Sequence, residues 1–345
     1  MKTSRFALSV ALCLTLAFLV QLACPASLGA ESVTKAFPAQ GYTLTAYYNA
    51  TVQPGDALFV RLVITPKPAA AGATTTGSLA LYTGESASSG AKPVRKSDFY
   101  LLTTNEAVQK KQADVLLSGL PLSSFQATGR YALLVTYKPF GTGEERLTLP
   151  VTITAKEFVS ETIPLDTRNT SIKTNTSSAR NDQIQRLNAI LEARNAKSVY
   201  STAAFVPPTP ATRRTSFFAD RRVYTYTGGG SSTSLHYGID YGVPTGSEVR
   251  ACSAGKVVMA EDRISTGWSV CIEHLPGLYS LYYHMSELKV SVGDMVTQGD
   301  LVGLSGATGL ATGPHLHWEV RLNMEAVSPD FFVSDFTFEE AARKK

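Results

Sequence analysis

The chain has 345 residues, 44% of them hydrophobic and 17% charged, with 26 glycines and 17 prolines, which suits two folded domains and a linker. Its formal net charge is +4, and removing residues 1–30 takes away Lys2 and Arg5 and no acidic residue, leaving +2. A balance this close to neutral excludes the electrostatic footprint of a nucleic-acid-binding protein.

The N-terminus opens with the basic stretch Met1-Lys2-Thr3-Ser4-Arg5, continues as an uncharged apolar run from Phe6 to Ala23, and reaches small residues around Ala26 to Ala30 before Glu31. This pattern predicts a signal peptide over residues 1–30 and an exported protein. The apolar run is near the length of a membrane span, so an uncleaved anchor ranks second. Lipidation at Cys24 ranks third, because Gln21 and Pro25 fit such a site poorly.

Residues 31–160 read as short strands separated by Gly, Pro, Asn and Ser. The runs are Tyr42–Tyr47, Ala57–Ile64, Ser78–Tyr82, Phe99–Leu102, Val115–Leu117, Tyr131–Tyr137 and Leu147–Ile153. About seven strands predict an immunoglobulin-like β-sandwich, with the turn Gln53-Pro54-Gly55-Asp56 ahead of the long apolar strand. No catalytic constellation occurs here, and its expected roles are attachment, partner binding in the envelope, or cover for a neighbouring groove.

Residues 161–210 read as a linker. Thr167 to Asn181 is rich in Ser, Thr and Asn and is expected not to pack alone. From Asp182 to Arg194, Ile184, Leu187, Ile190 and Leu191 fall along one side of a short helix, with Asn181 or Ser178 as its cap. Pro207-Pro208-Thr209-Pro210 then forms a stiff extended spacer. Placed just ahead of the last domain, this linker could lie across a groove there and supply a side chain to a metal. Residues 211–335 form the second domain, and 336–345 read as a charged tail.

All five histidines lie in the second domain, and four of them, His236, His284, His315 and His317, stand with Asp240 as candidate site residues. His315 and His317 are two apart, so in a strand they project to one face while Leu316 and Trp318 face the core. The run Ser280-Leu281-Tyr282-Tyr283-His284 also alternates, and a neighbouring strand would bring His284 to the same face. In His236-Tyr237-Gly238-Ile239-Asp240 the glycine disfavours a helix and points to a loop entering a short strand. Imidazole and carboxylate are both zinc ligands, and a catalytic zinc usually takes three protein ligands at about 2.0–2.2 Å and keeps a fourth position for water. Two histidines and one aspartate would serve as ligands and leave two histidines to move protons and stabilise an oxyanion. His274, in Glu273-His274-Leu275-Pro276-Gly277, reads as a local structural residue. Glu319, two beyond His317, shares its face and reads either as an acceptor orienting that histidine or as an exposed edge residue. The glycines from Gly303 to Gly313 lack the lysine of a phosphate cradle and read as a groove wall.

These segments together resemble the lysostaphin/LytM-type zinc metallopeptidases, which cut stems or cross-bridges of bacterial peptidoglycan. The resemblance runs from about Thr215 to about Pro329. It is carried by Thr215-Ser216-Phe217, His236-Tyr237-Gly238-Ile239-Asp240, Val249-Arg250-Ala251, Gly255-Lys256-Val257, Leu281-Tyr282-Tyr283-His284, Gly303-Leu304-Ser305-Gly306 and Gly313-Pro314-His315-Leu316-His317-Trp318-Glu319. It implies an all-β chain with an antiparallel catalytic domain, one Zn2+ held by His236, Asp240 and His317, and His284 and His315 as catalytic base and transition-state stabiliser in either assignment. The implied activity is zinc-dependent endopeptidase action on peptidoglycan peptides, by a protein of the periplasm or cell envelope. A small positive charge is compatible with such an anionic polymer.

All five positions are filled, which favours an active hydrolase over the alternative, a non-catalytic adaptor of the same fold that activates another cell-wall hydrolase. A wall-binding protein with a merely stabilising metal is the third reading. Beyond residue 30 only Cys252 and Cys271 remain, outside the ligand set. In an oxidising exterior they would pair if their strands adjoin.

Overall fold

The computed structural model describes residues 30–37, 40–66, 73–86, 90–102 and 113–343. The expected signal peptide, except its last residue, lies outside them. Among the described residues no helix is long and apolar enough to cross a membrane.

Alternating apolar side chains build the first part. Its strands are β1 (Ala30–Phe37), β2 (Tyr42–Asn49), β3 (Thr51–Val52), β4 (Ala57–Pro66), β5 (Thr76–Thr83), β6 (Arg95–Asp98), β7 (Tyr100–Leu101), β8 (Asp114–Pro121), β9 (Gly129–Lys138) and β10 (Glu145–Ile153). They form two five-stranded sheets, ordered β1-β2-β4-β8-β7 and β3-β10-β9-β5-β6. Leu44, Leu58, Val60, Leu62, Ile64, Leu116 and Leu120 of the first sheet meet Leu79, Leu81, Leu133, Val135, Leu149 and Val151 of the second in one core. Ten strands stand where the sequence pattern suggested about seven, because β1, the two-residue strand β3 and the polar strand β6 carry no apolar periodic signal.

The following segment is more ordered than its polar composition suggests. Strand β11 (Ser160–Pro164) leads into helix α1 (Thr167–Lys173), whose first turn is capped by Asp166 accepting from the Asn169 amide. Helix α2 (Ser178–Glu192) starts earlier than expected and is capped by Ser177, not by Asn181 or Ser178. Leu187, Ile190 and Leu191 pack beside Met259, Cys271, Tyr279, Leu281 and Tyr283, while Ile184 stays exposed. The proline-rich stretch is no free spacer: Arg250 donates its backbone N–H to Pro208 and Val206 to Cys252.

The last part is again built from strands. These are β12 (Arg214–Ser216), β13 (Arg221–Thr225), β14 (Ser231–Leu235), β15 (Gly238–Tyr241), β16 (Glu248–Arg250), β17 (Gly255–Arg263), β18 (Gly267–Leu275), β19 (Leu278–Met285), β20 (Glu287–Leu288), β21 (Met295–Val296), β22 (Leu301–Leu304), β23 (Leu316–Leu322) and β24 (Glu325–Val327). An eight-stranded sheet runs β12-β15-β23-β19-β18-β17-β21, with β24 beside β23. Strands β11, β13 and β14 form a small sheet, as do β16, β22 and β20. Helix α3 (Pro329–Val333) and the pair β25 (Phe336–Thr337) and β26 (Ala342–Arg343) close the chain. The charged-tail expectation for 336–345 is corrected here, since Phe336, Phe338 and Ala341 are buried. The all-β expectation holds, with three short α-helices among the described residues.

Cys252 and Cys271 are free and buried, not bonded. Cys252 belongs to the main core, whereas Cys271 lies in the separate cluster under α2, so the two thiols sit in different cores.

Candidate metal centre

Strands β15 and β23 are antiparallel neighbours in a register that places Asp240 opposite His317 and Gly238 opposite Glu319. Paired residues share a face, so Asp240, His317 and Glu319 project together, with Leu316 and Trp318 buried on the other side. The close approach requires glycine at 238. A Cβ there would lie 2.2 Å from the Trp318 carbonyl oxygen and 2.9 Å from His317 Nε2.

His236 enters from the loop before β15. Its Nε2 lies 3.0 Å from Asp240 Oδ1 and 2.8 Å from His317 Nδ1, and His317 Nδ1 is 2.8 Å from the same carboxylate oxygen. The three residues are buried and offer one donor atom each to a common point. The remaining ring nitrogens fix the tautomers. His236 Nδ1 donates to the Phe217 carbonyl at 2.8 Å, and His317 Nε2 donates to Glu319 Oε1 at 3.1 Å. Two imidazole lone pairs and one carboxylate oxygen therefore face each other, an arrangement that fits a divalent cation. Burial opposes a charge on the His317 ring, but hydrogen bonds with Asp240 and Glu319 outweigh it and push its pKa up to about 9. Burial would likewise raise the Asp240 carboxyl, yet His236 and His317 hold it well below the carboxylate range.

His284 reaches the site by breaking its strand. Tyr283 pairs with His317 and stacks on it at a centroid distance of 5.2 Å. Regular alternation from Ser280 would put His284 on the face of Tyr282, which pairs with Trp318 on the core side. A φ of 61° at His284 turns its ring back to the donor face, 6.0 Å from His317 and 4.7 Å from His315 between centroids. A bulky residue in the left-handed region is strained, and such strain clusters at functional sites. The alternation argument gave the right face for the wrong reason.

The glycine-rich loop does more than line a groove. Its Thr308 carbonyl accepts from His284 Nδ1 at 2.7 Å, and its Gly313 carbonyl accepts from His315 Nδ1 at 2.8 Å. Both rings are thereby held with Nε2 as the free ring nitrogen. Burial, with His315 and His317 alongside, pushes the His284 pKa down to about 3, so this ring is a neutral base at ordinary pH.

A cleft of about 490 Å³ opens over Asp240, His284, His315 and His317. Ile163 and Leu165 of the connecting segment form part of its wall, and α1 is tied to the opposite rim through Asn169 Nδ2 and Arg168 Nη2, which donate to Ala311 and Gly309 carbonyls. The connecting segment borders the groove, but among the described residues none of its side chains joins the three converging donors. Glu319 is buried and on His317, which excludes the exposed-edge reading. His274 lies away from the centre, fully buried at the end of β18, bonded to the Ala254 carbonyl and Ser280 Oγ. Sequence reasoning missed the carbonyls of Phe217, Thr308 and Gly313, which leave no side-chain signature. It also missed Arg222, whose Nη2 reaches Asp240 Oδ2 at 3.2 Å from a strand without any motif.

Residues 234–329 match Peptidase family M23. The DD-carboxypeptidase/endopeptidase Mpg of Neisseria meningitidis is 41% identical over 95 residues, 28% of this chain and 22% of that protein. The peptidoglycan DD-endopeptidase ShyA of Vibrio cholerae is 37% identical over 108 residues, 31% of this chain and 24% of that protein. The matched stretch thus spans about a quarter of the length of these curated relatives. A crystal structure from Pseudomonas aeruginosa described as a peptidase M23 aligns with 83% of this chain and 96% of its own at 21% identity and a TM-score of 0.52, a likeness of fold.

Proposed function

We propose that this chain, whose C-terminal part is a peptidase family M23 domain, is an exported zinc-dependent endopeptidase that hydrolyses peptide bonds in peptidoglycan stems or cross-links. The observation that carries the reading is the convergence of His236 Nε2, His317 Nδ1 and Asp240 Oδ1, with both imidazole tautomers fixed from behind, beneath an open cleft that also holds two further histidines. The names of the relatives that share this domain, a DD-carboxypeptidase/endopeptidase and a peptidoglycan DD-endopeptidase, point to the same substrate.

One zinc ion bound there would supply a Lewis acid and lower the pKa of a coordinated water to about 7. The chain's own residues do the rest. Thr308 holds His284 with Nε2 free to accept a proton, and Gly313 holds His315 likewise. One takes the proton of the attacking water on its Nε2 and passes that same proton to the leaving amine, and the other stabilises the oxyanion when its own Nε2 carries a proton. In this reading the substrate peptide lies in the cleft between the loop 310–314 and Thr215, which line it. The N-terminal sandwich, residues 31–160 in this division, attaches the enzyme to the wall or to an envelope partner.

The test is zinc content together with mass analysis of muropeptides released by the mature chain and by its His315→Ala variant. Zinc in both with cleavage by the parent alone, the variant slower by about 10²–10⁴-fold, supports the proposal. Zinc in the parent without cleavage would replace it with the adaptor reading.

A further inference from the structure

Asp240 offers one oxygen to the donor cluster, and something must hold the other. Its Oδ2 lies 3.2 Å from Nη2 of Arg222 on β13. The same guanidinium donates through Nε to Glu161 Oε1 at 2.8 Å and through Nη1 to the Tyr224 hydroxyl at 3.4 Å. Glu161 is on β11, which pairs with β13 in parallel with Glu161 directly opposite Arg222. Three edges of the fork are thus committed in different directions, on a side chain 11% exposed. Both residues lie outside the 234–329 match.

We propose that Arg222 is a positioning residue that fixes Asp240 as a one-oxygen metal ligand, and that Glu161 of the connecting segment anchors Arg222 for that task. The inference rests on His236, Asp240 and His317 being the zinc ligands. Arg222 donates to Oδ2 and draws that oxygen toward itself, so Oδ1 is the oxygen presented to the ion and the carboxylate is held against rotating to chelate through both oxygens. The Glu161 carboxylate balances the guanidinium charge, which would otherwise oppose a divalent cation nearby. A lysine cannot replace the fork, since one ammonium has no planar geometry to span Asp240, Glu161 and Tyr224. The metal affinity of the peptidase part is thereby tied to a strand that precedes it in the chain.

The experiment compares the full chain with Arg222→Gln, Arg222→Lys, Glu161→Gln and the Arg222→Gln/Glu161→Gln double variant. The readouts are zinc affinity by chelator competition, the visible spectrum of the cobalt(II)-substituted protein, and the melting temperature of the metal-free forms. Arg222→Gln is expected to weaken zinc binding by about 10–100-fold and to change the cobalt spectrum, which reports coordination number. Arg222→Lys is expected to remain several-fold weaker than the parent. Glu161→Gln is expected to weaken binding less, and to add nothing once Arg222 is gone, the signature of two residues acting through one another. Parent-like affinity and spectrum in Arg222→Gln would overturn the inference, as would weaker binding with an unchanged cobalt spectrum and a lowered metal-free melting temperature. An equal effect of Glu161→Gln in both backgrounds would overturn the anchoring by Glu161. Failure of the parent itself to bind zinc would instead overturn the metal reading on which all of this rests.

Discussion

His274 shows why counting histidines is not enough to find a site. Its ring is enclosed, with Nδ1 donating to Ala254 and Nε2 2.7 Å from Ser280 Oγ, and burial pushes its pKa down to about 4. In the unfolded chain the ring takes up a proton near pH 6.5, whereas the folded chain resists until about 4. The unfolded state therefore binds more protons between those values, so stability present above pH 6.5 is lost as pH falls toward 4, by about 3 kcal/mol. His274→Gln removes this term. Urea unfolding at pH 7 and pH 4.5 should show a gap smaller by about 2–3 kcal/mol in the variant, and an unchanged gap would refute the assignment. Gly238 gives a second prediction at this scale. Alanine there drives a methyl group into the Trp318 carbonyl and His317 Nε2, so β15 must move off β23. Gly238→Ala should cost about 1–3 kcal/mol and weaken zinc binding as well, measured by thermal melting and chelator competition. Melting and affinity equal to the parent's would show that the strands do not need this approach.

What could be read of the site before folding follows from chemistry that depends on side-chain type and spacing. His315 and His317, two apart, and His236 with Asp240 could be placed because strand periodicity is local. His284 could be named but not oriented, since its position depends on a positive φ that no residue type at 284 announces. Arg222 and Glu161 were invisible because they meet across a parallel pairing of strands 61 residues apart in sequence.

The same division holds for elements. The stripe of α2 was legible from Leu187, Ile190 and Leu191, but the surface it covers was not. That surface is the outer side of β17, β18 and β19, whose Met259, Cys271, Tyr279, Leu281 and Tyr283 would otherwise face water. Tyr283 belongs to it and also stacks on His317, so the helix supports the candidate metal centre from behind. Polar ties fix its register: Gln183 accepts from the Ile264 amide, and Arg180 donates to Ser265 Oγ. Leu191→Ala leaves a cavity in this small core and should destabilise the protein by about 2–4 kcal/mol, read as a lower urea midpoint with an unchanged slope. A shift under about 0.5 kcal/mol, typical of surface substitutions, would mean that the helix is only laid on the sheet.

Across the whole molecule, the strand that looked most like an ordinary sandwich strand has a second task. On β4, Leu58, Val60, Leu62 and Ile64 face the sandwich core, while Ala57 and Phe59 on the other face join the core of the C-terminal part. The Phe59 ring lies 5.4 Å from Phe336 and 5.3 Å from Phe338 between centroids. Asn323 donating to the Gly119 carbonyl and the Arg95–Glu325 ion pair flank this contact. The unbroken apolar run at 57–60 already carried the information, but a run buried on both faces names no partner. Both tryptophans, Trp268 and Trp318, lie in the C-terminal part, so tryptophan fluorescence reports that half alone. If the two halves share a core, Phe59→Ala should lower the tryptophan-detected unfolding midpoint, by about 3–5 kcal/mol of stability, although the substitution lies in the sandwich. Circular dichroism of the sheets should then shift in parallel, as one cooperative transition requires. A tryptophan transition that stays at the parent midpoint while the sandwich melts earlier would show two independent units, with the phenylalanine cluster contributing no coupling between them.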